Sequence, residues 1–190
     1  MYLTRLRLDP RSAQTRRDLS DPYEMHRTLV RPFVRDVEQV PPRILWRIEP
    51  AAAWSDPVVL VQAQEPADWS VLEALPNYLK ASAETREFSP ESWLQSAQSY
   101  RFRLFANPTV TRDGKRQGLI GEAVQQEWLV RQGERHGFAV EAMLVTGSDL
   151  LRGRKGGAQI SVLKVCFEGR LQVRDVAALA HAVRTGIGPG

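Results

Sequence analysis

The sequence predicts an α+β fold, two tandem ferredoxin-like domains, on three observations. The first half reads strand, helix, strand, strand, short helix, strand, the order of an antiparallel sheet with helices on one face. The second half runs through a similar order of elements with no repeat of its residues. A basic stretch with an Asp113-Gly114 turn signal lies between them. The predicted boundaries are 1–108 for the N-terminal domain, 109–120 for a basic linker and 121–190 for the C-terminal domain. A chain of 190 residues is long enough for two small domains.

Each element has its own warrant. Met1 to Leu8 sets Tyr2, Arg5 and Arg7 among Leu3, Leu6 and Leu8, close to the period of a strand. Asp9 to Ser20 is a polar stretch carrying Arg11, Arg16 and Arg17. A helix start follows: Asp21 suits a cap, Pro22 the first turn, and Glu24 the third position of a capping box. Met25, Leu29 and Phe33 then form an apolar stripe, and Pro32 predicts a kink or end near Arg31. RILWRIE (43–49) and PVVLVQAQ (57–64) read as strands, and 68–75 as a short helix. Asn77 to Ser96 has too little apolar periodicity to assign. YRFRLFA (100–106) alternates apolar and basic residues and is predicted to complete the first sheet. In the second half, 122–135 is helical in period, with Ala123, Trp128, Leu129 and Gln132 as its inner face and Gly137 as its stop. Strands are predicted at 138–151, 159–167 and 169–173, and a helix at 176–184.

Composition bounds the function. At 43% hydrophobic and 25% charged residues the chain is neither disordered nor low in complexity. No apolar run reaches membrane-span length, and MYLTRLRLDP is not a signal or transit peptide, so a cytoplasmic protein without membrane contact is expected. The single cysteine, Cys166, excludes an internal disulfide and a cysteine-rich zinc site, and its apolar surroundings predict a core position. His26, His136 and His181 lie far apart, so neither a metal site nor a cofactor is expected. The net charge of +4 hides segregation: +3 over 1–49, −5 over 50–100, +4 over 101–120, −3 over 121–150 and +5 over 151–190. Basic blocks brought to one face would suit a polyanion, and a solvated mixed-charge surface is the alternative.

The densest chemistry is DPYEMHRTL, residues 21–29. Tyr23 and His26, three apart, share one helix face, with Arg27 and Arg31 flanking them. The group begins at the positive end of a helix, where anions are favoured. Imidazole, phenol and guanidinium can together hold a phosphodiester and move its protons near neutral pH. A surface helix with an incidental Tyr and His has the same spacing.

The segments MYLTRLRL, DPYEMHRTL, RILWRIEP, YRFRLFANP, KVCFEGRL and GIGPG occur in the order found in CasE-type endoribonucleases, and the chain resembles that family over essentially its whole length. The resemblance implies two tandem ferredoxin-like (RRM-like) domains and metal-independent cleavage of the repeat hairpin of precursor CRISPR RNA, by 2′-hydroxyl attack on the adjacent phosphate. It implies His26 as the catalytic histidine, Tyr23 as its partner, and Arg31, with Arg27, as phosphate-binding. It implies that Arg152, Arg154 and Lys155, in the loop RGRKGG, contact the RNA stem. Lys115 and Arg116 in the preceding basic block are expected on the same backbone. The implied partners are the RNA hairpin and other Cascade protein subunits, with DNA met only through the assembled complex. Family chains continue past the G-x-G-P motif with a glycine-rich loop and an apolar strand, so a second sheet without its last strand is expected here. An RNA-hairpin-binding module without turnover is the alternative.

Overall fold

The structure, a computed structural model, describes residues 1–36, 38–50, 52, 54–155 and 158–188, and no side chain from 152 to 160. It divides into two units, one built on Met1–Phe88, the other on Ser89–Arg152 and Ile160–Gly190.

In the first unit the chain runs through β1 (Tyr2–Arg7), α1 (Ala13–Ser20), α2 (Pro22–Val30), β2 (Ile44–Ile48), β3 (Val58–Ala63), α3 (Ser70–Glu73) and β4 (Glu84–Glu87). The sheet order is β2-β3-β1-β4 with every pairing antiparallel, the ferredoxin-like arrangement expected. Alternation along β1 buries Leu6 against Met25 and Leu29 of α2, Val59 and Val61 of β3, and Leu72 of α3. Pro32 acts as predicted: α2 stops at Val30 and a single 3₁₀ turn, Arg31–Phe33, follows.

Two features of this unit differ from expectation. The polar stretch 9–20 contains α1, whose inward residues are Thr15 and Asp18, so it carries no apolar period to read. The fourth strand is β4, Glu-Thr-Arg-Glu, rather than residues 100–106. All four of its side chains are exposed, which hides it from a periodicity reading. A short charged strand is also how a sheet edge is protected from further pairing.

From residue 89 on, the chain runs through β5 (Ser99–Ala106), a hairpin of β6 (Thr109–Arg112) and β7 (Lys115–Gly118), α4 (Glu122–Arg135), β8 (Phe138–Lys155), β9 (Ala158–Val173) and α5 (Val176–Thr185), the framework of the second unit. Its sheet order is β5-β9-β8. These are the counterparts of β1, β3 and β2, and among the described residues no strand takes the fourth place beside β5.

The predicted boundary is therefore corrected. Residues 100–106 open the second sheet, pairing Leu104 with Phe167 and Phe102 with Gly169, because Tyr100, Phe102 and Leu104 face the second core. The stretch 109–120 is no linker between domains; 109–118 form a hairpin inside the second unit, turned by Asp113 and Gly114 at positive φ. α4 has the predicted limits, but Ala123 is exposed and Gln125 takes its place inside, donating to the Leu119 carbonyl at 2.9 Å. The strands expected at 159–167 and 169–173 are one strand, because Gly169 allows an approach instead of a break. A β-carbon there would lie 2.0 Å from the Ala142 carbonyl oxygen. Cys166 is buried, as expected.

Candidate active site

The Asp21 carboxylate accepts the Tyr23 amide at 2.8 Å and so caps α2. The other half of the expected capping box is absent. The Asp21 amide already donates to the Arg17 carbonyl at the end of α1, and Glu24 instead holds Arg27 at 2.9 Å.

The two inward turns of α2 are Met25 and Thr28-Leu29, which leaves Tyr23 half-buried and His26 exposed on the opposite side. Among the described residues neither the His26 ring nor the Tyr23 hydroxyl makes a hydrogen bond within the protein. Partial desolvation by surrounding atoms pushes the His26 pKa below its ordinary 6.5, so the neutral imidazole prevails at neutral pH. Arg31 follows the last residue of α2, exposed, with no ion-pair partner among the described residues. Arg27 is tied to Glu24 in an exposed i,i+3 pair, a weak restraint that a phosphate can displace.

Beneath α2 lies a buried polar cluster that periodicity could not reveal. Asp18 of α1 is 1% exposed and Tyr78, just after α3, is 0% exposed. The Tyr78 hydroxyl donates to one Asp18 oxygen at 2.7 Å, and Gln14 Nε2 donates to the other at 2.8 Å. The same Nε2 reaches the Thr28 hydroxyl of α2 at 3.2 Å. Burial raises the Asp18 pKa against these hydrogen bonds, and burial together with Asp18 raises that of Tyr78.

The remaining candidates lie on β7 and at the end of β8. Lys115 and Arg116 are exposed on β7, across from Arg112 and Thr111 of β6. Arg112, also exposed, extends the basic ribbon, and only the strand pairing, not the charge of the block, sets it beside Lys115. Arg152, Arg154 and Lys155 fall in the last residues of β8, and their side chains lie outside the described residues. The structure thus gathers Tyr23, His26, Arg27 and Arg31 on one helix and its C-terminal end, and Arg112, Lys115 and Arg116 on one hairpin. Among the described residues no group of three or more His, Cys, Asp or Glu side chains could hold a metal ion.

A family model described as "CRISPR associated protein" matches residues 1–190. The chain is 40% identical over 204 aligned positions to the CRISPR-associated endoribonuclease Cse3 of Thermus thermophilus, covering 100% of this chain and 94% of that one. It superposes with TM-score 0.86 and 38% identity on Thermus thermophilus Cse3 bound to an RNA representing a pre-cleavage complex, covering 100% and 93% of the two chains. Against the CRISPR-associated protein Cas6e of Escherichia coli the TM-score is 0.70 at 26% identity, with 100% and 93% covered.

Proposed function

Because this chain belongs to the CRISPR-associated protein family, and within it to the CasE-type endoribonucleases, we propose that it cuts the repeat hairpin of precursor CRISPR RNA without a metal ion. The observation that carries the reading is the exposed imidazole of His26 on the same helix face as Tyr23, with Arg31 at the end of that helix.

His26 takes the proton of the 2′-hydroxyl, whose oxygen attacks the adjacent phosphorus. A new O2′–P bond forms as the P–O5′ bond breaks, leaving a 2′,3′-cyclic phosphate on one product and a 5′-hydroxyl on the other. The departing oxygen takes up a proton. Arg31, with Arg27 once released from Glu24, offsets the charge that builds on the phosphate oxygens. Tyr23 orients the phosphate or supplies a hydrogen bond to it. The basic hairpin residues Lys115 and Arg116, and the tip residues Arg152, Arg154 and Lys155, hold the RNA stem by its phosphates. Such a protein keeps its product and works in the cytoplasm beside other Cascade subunits.

The test is a cognate repeat hairpin incubated with the protein in chelator. A single cut with a cyclic phosphate end, abolished by one 2′-deoxy substitution just 5′ of the cut, is expected. A metal-dependent product bearing a 5′-phosphate would overturn the mechanism, and binding without any cut would make the protein an RNA-hairpin-binding module.

A further inference from the structure

α2 has nine residues, too few to hold its shape or place unaided. Its apolar anchors, Met25 and Leu29, determine which face points inward. Apolar contact is non-directional, so it tolerates small rotations of the helix about its axis. Those rotations matter, because a side-chain tip about 6 Å from the axis moves by about 1 Å for a rotation of roughly 10°. A misplacement of about 1 Å can cost roughly 10²-fold in rate.

Thr28 is the one polar residue on the inward face of α2, and it lies two positions from His26, on the far side of the helix. It meets Gln14 of α1, which meets Asp18, which meets Tyr78. Hydrogen bonds weaken steeply when bent, so this chain of them resists the rotation that apolar contact allows. The cluster is complete: among the described residues no buried side-chain nitrogen or oxygen lacks a partner. Burying a carboxyl and a phenol is not an economical way to stabilise a core, since well-packed apolar residues often do as well. Its use is direction.

Building on the assignment of His26, we infer that Asp18 and Tyr78, acting through Gln14 and Thr28, are positioning residues that fix the rotation of α2 and thereby aim His26, Tyr23 and Arg31 at the scissile phosphate. They touch no RNA themselves. They hold the helix that does.

The experiment uses the full chain carrying Tyr78→Phe, Thr28→Val or Thr28→Ser, with His26→Ala alongside. Three quantities are read: the single-turnover cleavage rate at saturating protein, the affinity for an uncleavable 2′-deoxy hairpin, and the melting temperature. Tyr78→Phe and Thr28→Val should each lower the rate by roughly 10–100-fold with affinity within about threefold. Thr28→Val keeps the volume and removes only the hydroxyl, so it separates aim from packing. Thr28→Ser, which restores the hydroxyl, should recover the rate to within about threefold of the parent. Unchanged rates in Tyr78→Phe and Thr28→Val, with His26→Ala inactive, would overturn the positioning inference and leave the catalytic assignment standing. Rate and affinity falling in the same proportion, with Thr28→Ser no better than Thr28→Val, would also overturn it, since the cluster would then only hold the fold. A His26→Ala protein that cleaves at the parental rate would remove the assignment on which the inference rests.

Discussion

His26 is exposed yet crowded enough to favour its neutral form, and that has a measurable sign. If His26 is the base of the proposed mechanism, it must be unprotonated, and the cleavage rate should fall on the acid side with a midpoint below 6.5, the ordinary histidine value. A single-turnover pH profile measures it. His26→Ala should lower the rate by roughly 10²–10⁴ while hairpin affinity stays within a few fold, with Tyr23→Phe milder. Asp9 makes a separate prediction about stability. It accepts the Arg11 amide at 2.9 Å, its Nε at 3.2 Å and its terminal nitrogen at 2.9 Å, which together hold its pKa down at about 2. A folded pKa below the unfolded 3.8 means stability that is present above that value and lost as pH falls towards about 2. Asp9→Asn should therefore lower the melting temperature at neutral pH and flatten its decline over that acid interval.

The hairpin of β6 and β7 presents Arg112, Lys115 and Arg116 on a ribbon of paired, exposed residues. If all three meet RNA phosphates, replacing them with Ala should make the slope of log affinity against log salt shallower by roughly 2–3 units. Titrations at several salt concentrations measure it, and cleavage at saturation should survive in part because His26 is on α2. In β9, Gly169→Ala would drive a β-carbon into the Ala142 carbonyl oxygen, a backbone atom that cannot swing aside. The expected loss is roughly 3 kcal/mol from the second unit, read by denaturant unfolding. These elements also show what a sequence can disclose. The limits of α4 were legible because its inward Trp128 and Leu129 keep helical period and Gly137 supplies the stop at positive φ, whereas its buried Gln125 was not. α1 and β4 were not, because one turns Thr15 and Asp18 inward and the other buries nothing. The Tyr23 and His26 face was legible from spacing and a helix start, both local. The cluster beneath it joins residues 14, 18, 28 and 78, a proximity that only the tertiary fold creates.

Across the whole chain, the two units have separate cores, one around Leu6, Met25 and Tyr78, the other around Trp128, Phe167 and Leu129. Substitutions without shared partners should then combine almost additively in stability, within about 0.5 kcal/mol. Tyr78→Phe with Gly169→Ala is the pair to measure. The lone Cys166 lies in β9, 7% exposed, on the face opposite its core neighbours Val165 and Phe167, with Phe105 across from it on β5. It gives this molecule a built-in clock. A thiol reagent added to native protein reaches so buried a sulfur mainly when its surroundings open, so the labelling rate reports local opening around β9. No cysteine needs to be engineered or removed, because no other thiol competes for the reagent. Gly169→Ala should speed the clock and Tyr78→Phe should leave it unchanged, and bound hairpin RNA should slow it wherever the RNA ties down β5, β8 or β9.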